Sequence, residues 1–182
     1  MDKEPKLVVA ARHDFWTFCM VMNENFFFFF FYLYEVAEAF QKVFDDYLNK
    51  KASVAVINMP PRAGKSFITS HFAIFWIGHF NDKPVMRNTC TSELCKKLSV
   101  STRDLMNSSQ YKIIFEGIEI DYRSRSWKSW RTKSCQRASS YFGAGVSGNI
   151  LGEGAGLAIT DDLYPSMASA LSNAQNEAVI DW

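Results

Sequence analysis

The chain has 182 residues, 48% of them hydrophobic, which is enough apolar material for one compact domain. Its 20 Lys and Arg residues nearly balance its 19 Asp and Glu residues, so no global field recruits nucleic acid, and any such contact must come from a local patch. Four scattered cysteines without metal-ligand spacing predict reduced, mostly buried thiols in a cytosolic protein, and the first residues lack the apolar core of a secretory signal.

The N-terminal segment, residues 1–50, is predicted to be helical and to pack on the rest of the domain. The aromatic run Phe26–Phe31 is too short to span a membrane, which takes about 20 apolar residues, and Glu24 and Glu35 flank it. Two interpretations stay open for this run: a helix that lays aromatic rings on a core, which we favour, and a protein contact surface. After it, apolar residues recur at helical spacing, namely Val36, Phe40, Val43 and Tyr47.

Residues 51–182 are predicted to form an α/β core. Ser53–Asn58 is a short β-branched run typical of a buried strand, and Phe67–Phe80 is a long apolar segment typical of a helix. Between them lies Gly64-Lys65-Ser66, the end of the phosphate-binding loop G-x-x-x-x-G-K-[ST], although Met59 stands where the pattern has its first glycine. Such a tripeptide arises by chance in roughly one chain in ten of this length. The flanking strand and helix make it more specific, because a polyphosphate binds at a helix N-terminus that follows a strand.

The next segment continues the α/β order. Val85–Thr91 is predicted to be a second strand, and Ser92 is predicted to cap a helix that carries Leu94, Leu98, Leu105 and Met106 on one side. Short strands are then predicted at Tyr111–Phe115 and Ser139–Phe142, around a basic segment. Alternating strands and helices indicate an α/β fold.

A second polar motif follows the apolar residues Leu157–Thr160. Taken alone, Asp161-Asp162 is typical of a polar turn after a strand. Together with Gly64-Lys65-Ser66, the pair favours a nucleotide site in which Asp161 holds Mg²⁺ through water and Asp162 orients and deprotonates the attacking water.

The order of these motifs resembles the ATPase half of a tailed-bacteriophage terminase large subunit, over nearly the whole chain. The most specific element is Pro-Pro-Arg-x-Gly-Lys-Ser paired with Gly-x-Gly-Ala, an apolar strand and Asp-Asp. The family has a deviant Walker A loop, in which proline and a basic residue replace glycines, and this accounts for Met59. The other matching stretches are Phe15-Trp16, Ile57–Ser66, Thr89–Leu94 and Gly148–Asp162.

The resemblance implies a P-loop ATPase of the additional-strand type, with a mostly parallel sheet flanked by helices. It implies that ATP hydrolysis with Mg²⁺ drives double-stranded DNA into a capsid, in a homo-oligomeric ring with a portal protein and a terminase small subunit. It places the protein in the cytoplasm of a bacterial host, from a phage or prophage, with no membrane partner. We expect these residues to contain no counterpart of the family's nuclease domain.

The resemblance also implies a role for each site residue. Lys65 contacts the β- and γ-phosphates, Ser66 and Asp161 serve Mg²⁺, Asp162 is the catalytic carboxylate, and Arg62 senses the γ-phosphate. Glu153 stands where related sequences often have a basic residue, so no arginine finger is assigned. The nucleotide-binding loop is expected to comprise Pro61, Arg62, Ala63, Gly64, Lys65 and Ser66.

In the fold that the chain resembles, a further strand inserts between the phosphate-loop strand and the Asp161 strand. Leu163–Trp182 contains no such strand, since Ser166–Asp181 is predicted to be a polar, Ala-rich helix. We therefore expect an ATPase domain truncated before its central strand, marginally stable when expressed alone, slow in turnover and unable to cut DNA.

The segment Arg123–Arg137 carries six basic residues, two tryptophans and no acid. Spaced cations neutralise phosphates and indoles stack on bases, so candidate DNA contacts are Arg123, Arg125, Lys128, Arg131 and Lys133. The alternation of Trp127 with Lys128 and of Trp130 with Arg131 equally fits a hairpin with one buried and one solvated face, which we favour. A packaging motor contacts the DNA backbone, so no base preference is expected.

Two other functions stay open. A helicase or DNA-repair ATPase uses the same two nucleotide motifs. It separates DNA strands, whereas a packaging motor fills a capsid, and this difference in activity distinguishes them. A non-catalytic prophage remnant keeps the fold and loses turnover, and a measurement of DNA-stimulated phosphate release identifies it.

Overall fold

The computed structural model describes residues 5–146, 148, 154–164 and 167–180. The predicted α/β class is confirmed: a five-stranded mixed sheet is flanked by helices. In chain order the elements are α1 (Lys6–Ala11), α2 (Phe15–Phe29), α3 (Leu33–Leu48), α4 (Lys65–His79), β1 (Val85–Thr89), α5 (Ser92–Met106), α6 (Ser109–Ile114), β2 (Ile120–Arg125), β3 (Ser129–Thr132), β4 (Tyr141–Gly145), β5 (Leu157–Thr160), α7 (Met167–Ala170) and α8 (Asn173–Ile180).

The sheet has the strand order β2-β3-β4-β1-β5. The strands β4, β1 and β5 are parallel, whereas β2, β3 and β4 pair antiparallel. The sheet is therefore mixed. Because parallel strands end at the same edge of a sheet, residues that follow β1 and β5 come together, and ligands of open α/β sheets bind at this edge.

The helices α2 and α3 pack on α4, whose residues Ile68 to Ile77 are all buried, and α1 packs on α2 and α6. Stacked and edge-on rings fill the contact: Phe40 stacks on Phe72 at 4.6 Å, and Phe15 meets Phe72 at 5.2 Å. The aromatic run is only partly core, because Phe27 is buried whereas Phe28, Phe29 and Phe31 are exposed. None of the described helices is long and apolar enough to cross a membrane.

The predicted strand Ser53–Asn58 is wrong, because no strand hydrogen bonds form there and Val54 and Val56 are 89% and 90% exposed. A strand needs a neighbour for its backbone hydrogen bonds. Instead, a cleft of about 1030 Å³ separates residues 50–57 from β5, with Tyr47, Phe72, Trp76 and Phe80 among the residues that line it.

Three further predictions of secondary structure are also corrected. Tyr111–Phe115 is predicted to be a strand but falls largely in α6, because the hydroxyl of Ser108 accepts a hydrogen bond from the Tyr111 N–H and starts a helix there. The strand predicted at Ser139–Phe142 is β4, which begins at Tyr141. Thr91, not Ser92, caps α5 and accepts from the N–H of Leu94 at 3.1 Å.

The buried side of α5 consists of Cys95, Ser99, Thr102 and Met106 rather than the predicted leucines. Leu94, Leu98 and Leu105 are only partly buried. Small residues face the sheet because the helix lies very close to it: a Cβ on Gly143 would come within 2.5 Å of the Cys95 Sγ. The prediction of unpaired thiols is confirmed, since all four cysteines are free and Cys19, Cys95 and Cys135 are buried.

Candidate active site

The loop before α4 has the backbone of an anion-binding turn. Arg62 and Gly64 both adopt left-handed conformations, with φ of 66° and 82°, and α4 begins directly at Lys65. Gly64 suits this position for a second reason, because a Cβ there would lie 3.0 Å from the Phe26 Cζ. The first turn of the helix therefore faces a pocket of about 440 Å³, where the positive end of the helix dipole favours an anion. The pocket is lined by Phe26, Met59, Pro60, Pro61, Arg62, Gly64, Lys65, Ser66, Phe67 and Asp162.

The second half of the site follows β5. The N–H of Asp161 donates to the carbonyl of Asn88 at 2.9 Å, so the parallel pairing with β1 continues to this residue. The side chain of Asp161 is only 4% exposed, whereas that of Asp162 is 53% exposed. Asp162 has φ of 49°, and this turn directs the two neighbouring carboxylates into different surroundings.

Lys65 joins the two halves of the site. Its Nζ lies 3.3 Å from the Asp161 Oδ1 and donates a short hydrogen bond to the Asp162 Oδ1. Burial disfavours the charged ammonium, but the two carboxylates outweigh this effect and hold the pKa of Lys65 above its ordinary value. The structure thus brings together residues that are 97 positions apart in sequence.

Asp161 is held as an anion. Burial raises its pKa, but the Arg87 guanidinium, the Lys65 ammonium and the nearby Ser66 side chain together bring the pKa below its ordinary value. The carboxylate of Asp161 and the hydroxyl of Ser66 are oxygen ligands of the kind that Mg²⁺ takes in proteins. Among the described residues, this site included, no group of three or more His, Cys, Asp or Glu side chains is placed to hold a metal.

The remaining loop residues divide by exposure. Pro61 and Arg62 are exposed at the mouth of the pocket. Ala63 is nearly buried, and its carbonyl accepts a hydrogen bond from the Tyr32 hydroxyl at 2.9 Å. The last turn of α2 and the turn that follows it therefore contact the loop, through Phe26 and Tyr32.

Three residues that contribute to this site are not predicted from the sequence. Arg87, at the centre of β1, contacts Asp161, and the only sequence sign of it is a charged residue inside an otherwise uncharged strand. Phe26 of the aromatic run and Tyr32, which follows the run, contact the loop of residues 61–66, whereas the sequence predicts only a core or a contact-surface role for these aromatic rings. No local sequence pattern indicates that second contact.

The candidate DNA-binding residues lie on the hairpin of β2 and β3, at the sheet edge opposite β5. With strands spaced by about 4.8 Å, β3 is roughly 14 Å from β5. Trp130 is fully buried and stacks on Tyr141 at 5.0 Å, while Arg131 points the other way, as a hairpin with one buried face requires.

Three of these five residues already have acidic partners. Arg123 and Arg131 both contact Asp121, at 3.1 and 3.2 Å, and Lys133 pairs with Glu119. Lys128 lies over the Trp127 ring at 5.4 Å from its centroid. The side chain of Arg125 lies outside the described part of the chain, as do residues 149–153 of the glycine-rich motif, including Glu153.

No protein-family model matches this chain, and no curated protein sequence matches it either. The function must therefore be inferred from the geometry of the site and from the motifs that carry it.

Proposed function

We propose that the chain is a P-loop ATPase domain of a DNA-packaging motor, of the kind found in phage terminase large subunits. The observation that carries this proposal is the contact of Lys65 with both Asp161 and Asp162. A lysine at the start of a helix, beside a buried and an exposed carboxylate at a strand end, supplies the phosphate-binding cation, the metal ligand and the base that P-loop hydrolysis uses.

In this proposal Lys65 and the first N–H groups of α4 bind the β- and γ-phosphates. Ser66 and Asp161 would hold Mg²⁺, which would supply charge neutralisation at the phosphate oxygens. A γ-phosphate beside Lys65 gives its ammonium a new anionic partner and releases Asp162, whose exposed carboxylate accepts a proton from water. The water oxygen then bonds to the γ-phosphorus, the bond to the β–γ bridging oxygen breaks, and ADP and phosphate are formed.

The additional-strand assignment is part of the proposal. A further strand in this fold lies between the phosphate-loop segment and the Asp161 strand, and the cleft of about 1030 Å³ occupies that position between residues 50–57 and β5. One further strand placed there would pair with both sides, which gives residues 53–58 the neighbour that they lack among the described residues. The bacterial or phage source, the portal protein and the small subunit follow from the resemblance alone.

The direct test is phosphate release from ATP by the purified chain, with Mg²⁺ and with or without double-stranded DNA. We expect measurable release that double-stranded DNA accelerates, without separation of the strands. ATP binding without any release would identify a non-catalytic remnant, and strand separation would favour a helicase.

A separate prediction concerns DNA contact by the β2–β3 hairpin. Replacing Arg125, Lys128 and Arg131 by Gln should weaken double-stranded DNA binding and flatten its log–log salt dependence by about one unit per lost phosphate contact. Because Arg131 already pairs with Asp121, we expect the single variant Lys128→Gln to lose more affinity than Arg131→Gln. Fluorescence anisotropy over a salt series measures both quantities.

The matched control removes the same charge from another surface, with Lys96, Lys97 and Lys112 of α5 and α6 replaced by Gln. An unchanged slope in the hairpin variant, or an equal change in the control, would mean that the hairpin residues only form a solvated face.

A further inference from the structure

Arg87 is a fully buried cation at the centre of the sheet. Its guanidinium makes three contacts: Nη2 lies 2.8 Å from the Asp161 Oδ2 and 3.3 Å from the carbonyl of Ser66, and Nη1 donates to the Ser70 hydroxyl at 2.8 Å. One side chain on β1 therefore connects the end of β5 to the first turns of α4.

Stability alone does not account for an arginine here. Removing two charges from water is costly, and a buried ion pair can often be replaced by apolar residues of similar size without loss of stability. The partner of Arg87 is also the carboxylate next to Ser66 and Lys65, and not an acid elsewhere in the core.

The contacts also fix the orientation of the Asp161 carboxylate. Arg87 bonds to Oδ2, whereas Oδ1 lies 3.3 Å from the Lys65 Nζ, on the side of the phosphate loop. A planar guanidinium with several donors holds both the carboxylate and Ser70 in one geometry, which a lysine ammonium does less well.

We propose that Arg87 is a positioning residue of the nucleotide site, which orients the Asp161 carboxylate toward Mg²⁺ and holds it at a fixed distance from the phosphate loop. This inference rests on the proposed ATPase function and deepens it. Partners that orient a metal ligand typically change metal affinity or activity by about 10–100-fold when they are removed. Removal of Arg87 should therefore change the Mg²⁺ dependence of ATP hydrolysis rather than nucleotide binding itself.

The test compares the parent chain with Arg87→Met, Arg87→Lys and Ser70→Ala. For Arg87→Met we expect the Mg²⁺ concentration for half-maximal ATP hydrolysis to rise by about 10–100-fold and kcat to fall. Binding of a fluorescent ATP analogue in EDTA should stay within about threefold of the parent, because Lys65 and the loop backbone remain. Arg87→Lys should be intermediate, and Ser70→Ala should have the smallest effect, since the bond to Asp161 remains.

The control is Ser99→Ala, which removes a buried hydroxyl that accepts from the Trp130 Nε1 at 3.0 Å, far from the phosphate loop. If Arg87→Met does not fold, Arg87→Lys carries the same test, together with Mn²⁺ binding to the ADP complex measured by electron paramagnetic resonance.

The inference is overturned if Arg87→Met or Arg87→Lys has the metal dependence of the parent and of Ser99→Ala. It is overturned as well if analogue binding in EDTA falls in parallel with hydrolysis, because Arg87 would then only support the loop. A parent chain that binds no nucleotide overturns the ATPase proposal itself, and this inference with it.

Discussion

Replacing Asp162 by Asn should leave Mg²⁺·ATP binding nearly intact and lower the rate of ATP hydrolysis by about 10²–10⁴-fold, the usual contribution of a general base. The amide keeps the size of the side chain but cannot take a proton from water. Asp162 is half exposed, and the hydrogen bond that its backbone carbonyl accepts from the Cys90 N–H does not involve the side chain, so the substitution should have little effect on folding. Single-turnover phosphate release and nucleotide binding, measured on the same sample, test this expectation.

Replacing Lys65 by Ala should instead abolish nucleotide binding. The change removes the cation nearest to the expected phosphate position, while Asp161 keeps its bond to Arg87 and so does not become an unpaired buried charge. The loss of binding should therefore occur in a folded protein, with a far-UV circular dichroism spectrum and a melting temperature close to those of the parent.

The chain offers a matched control for both variants. Asp82 and Lys83 form an exposed ion pair at 3.2 Å, in the turn before β1 and at the opposite end of the strand from the phosphate loop. Asp82→Asn and Lys83→Ala should leave ATP binding and hydrolysis unchanged. Equal hydrolysis by Asp162→Asn and the parent would reject Asp162 as the catalytic carboxylate.

The convergence of the site was predictable from the sequence because two local motifs belong to one kind of site. Gly64-Lys65-Ser66 indicates the start of a helix, and Asp161-Asp162 indicates the end of a strand. A nucleotide site brings such a lysine and such carboxylates together, so the presence of both motifs in one chain predicts their contact, although no strand precedes the loop. Neither motif requires knowledge of the remaining side chains.

Arg87 and Tyr32 were not predictable in the same way. Their roles depend on which side chain the fold brings opposite a given strand end or loop, and a single sequence carries no record of such pairings. The prediction that leucines form the buried side of α5 was wrong for a related reason. The sheet lies so close to α5 at Gly143 that only small side chains fit between the helix and the sheet. In each case a distance between elements decided the outcome, and local propensity did not.

The Ser53–Asn58 prediction failed because a β-branched composition describes how a residue fits a sheet and does not supply a neighbouring strand. The side chains of Val54 and Val56 are almost fully exposed, although the composition indicates burial. Both sides of the adjoining cleft thus lack a neighbouring strand, since β5 pairs only with β1 in the described part of the chain.

The alternation of hydrogen bonds along β5 identifies the residues whose N–H groups face the cleft. The N–H groups of Leu157 and Asp161 donate to the carbonyls of Pro84 and Asn88 in and next to β1. Because alternate residues of a strand face opposite neighbours, Ala158 and Thr160 direct their N–H groups toward the cleft. Both residues are exposed.

We therefore expect the amides of Ala158 and Thr160, and those of Val54 and Val56, to exchange with solvent almost without protection. The amides of Met86 and Arg87 in β1, which has a strand on each side, should exchange orders of magnitude more slowly, since core strands open only with the whole domain. Hydrogen exchange followed by nuclear magnetic resonance measures these residues in one sample.

An unpaired strand edge also invites pairing between chains, so the measurement should be repeated over a range of protein concentrations. Protection that appears only at high concentration would report self-association through this edge. Strong protection of residues 53–58 together with Ala158 and Thr160 in a monodisperse monomer would contradict the prediction, because it would require the cleft to be closed by strand pairing within one chain.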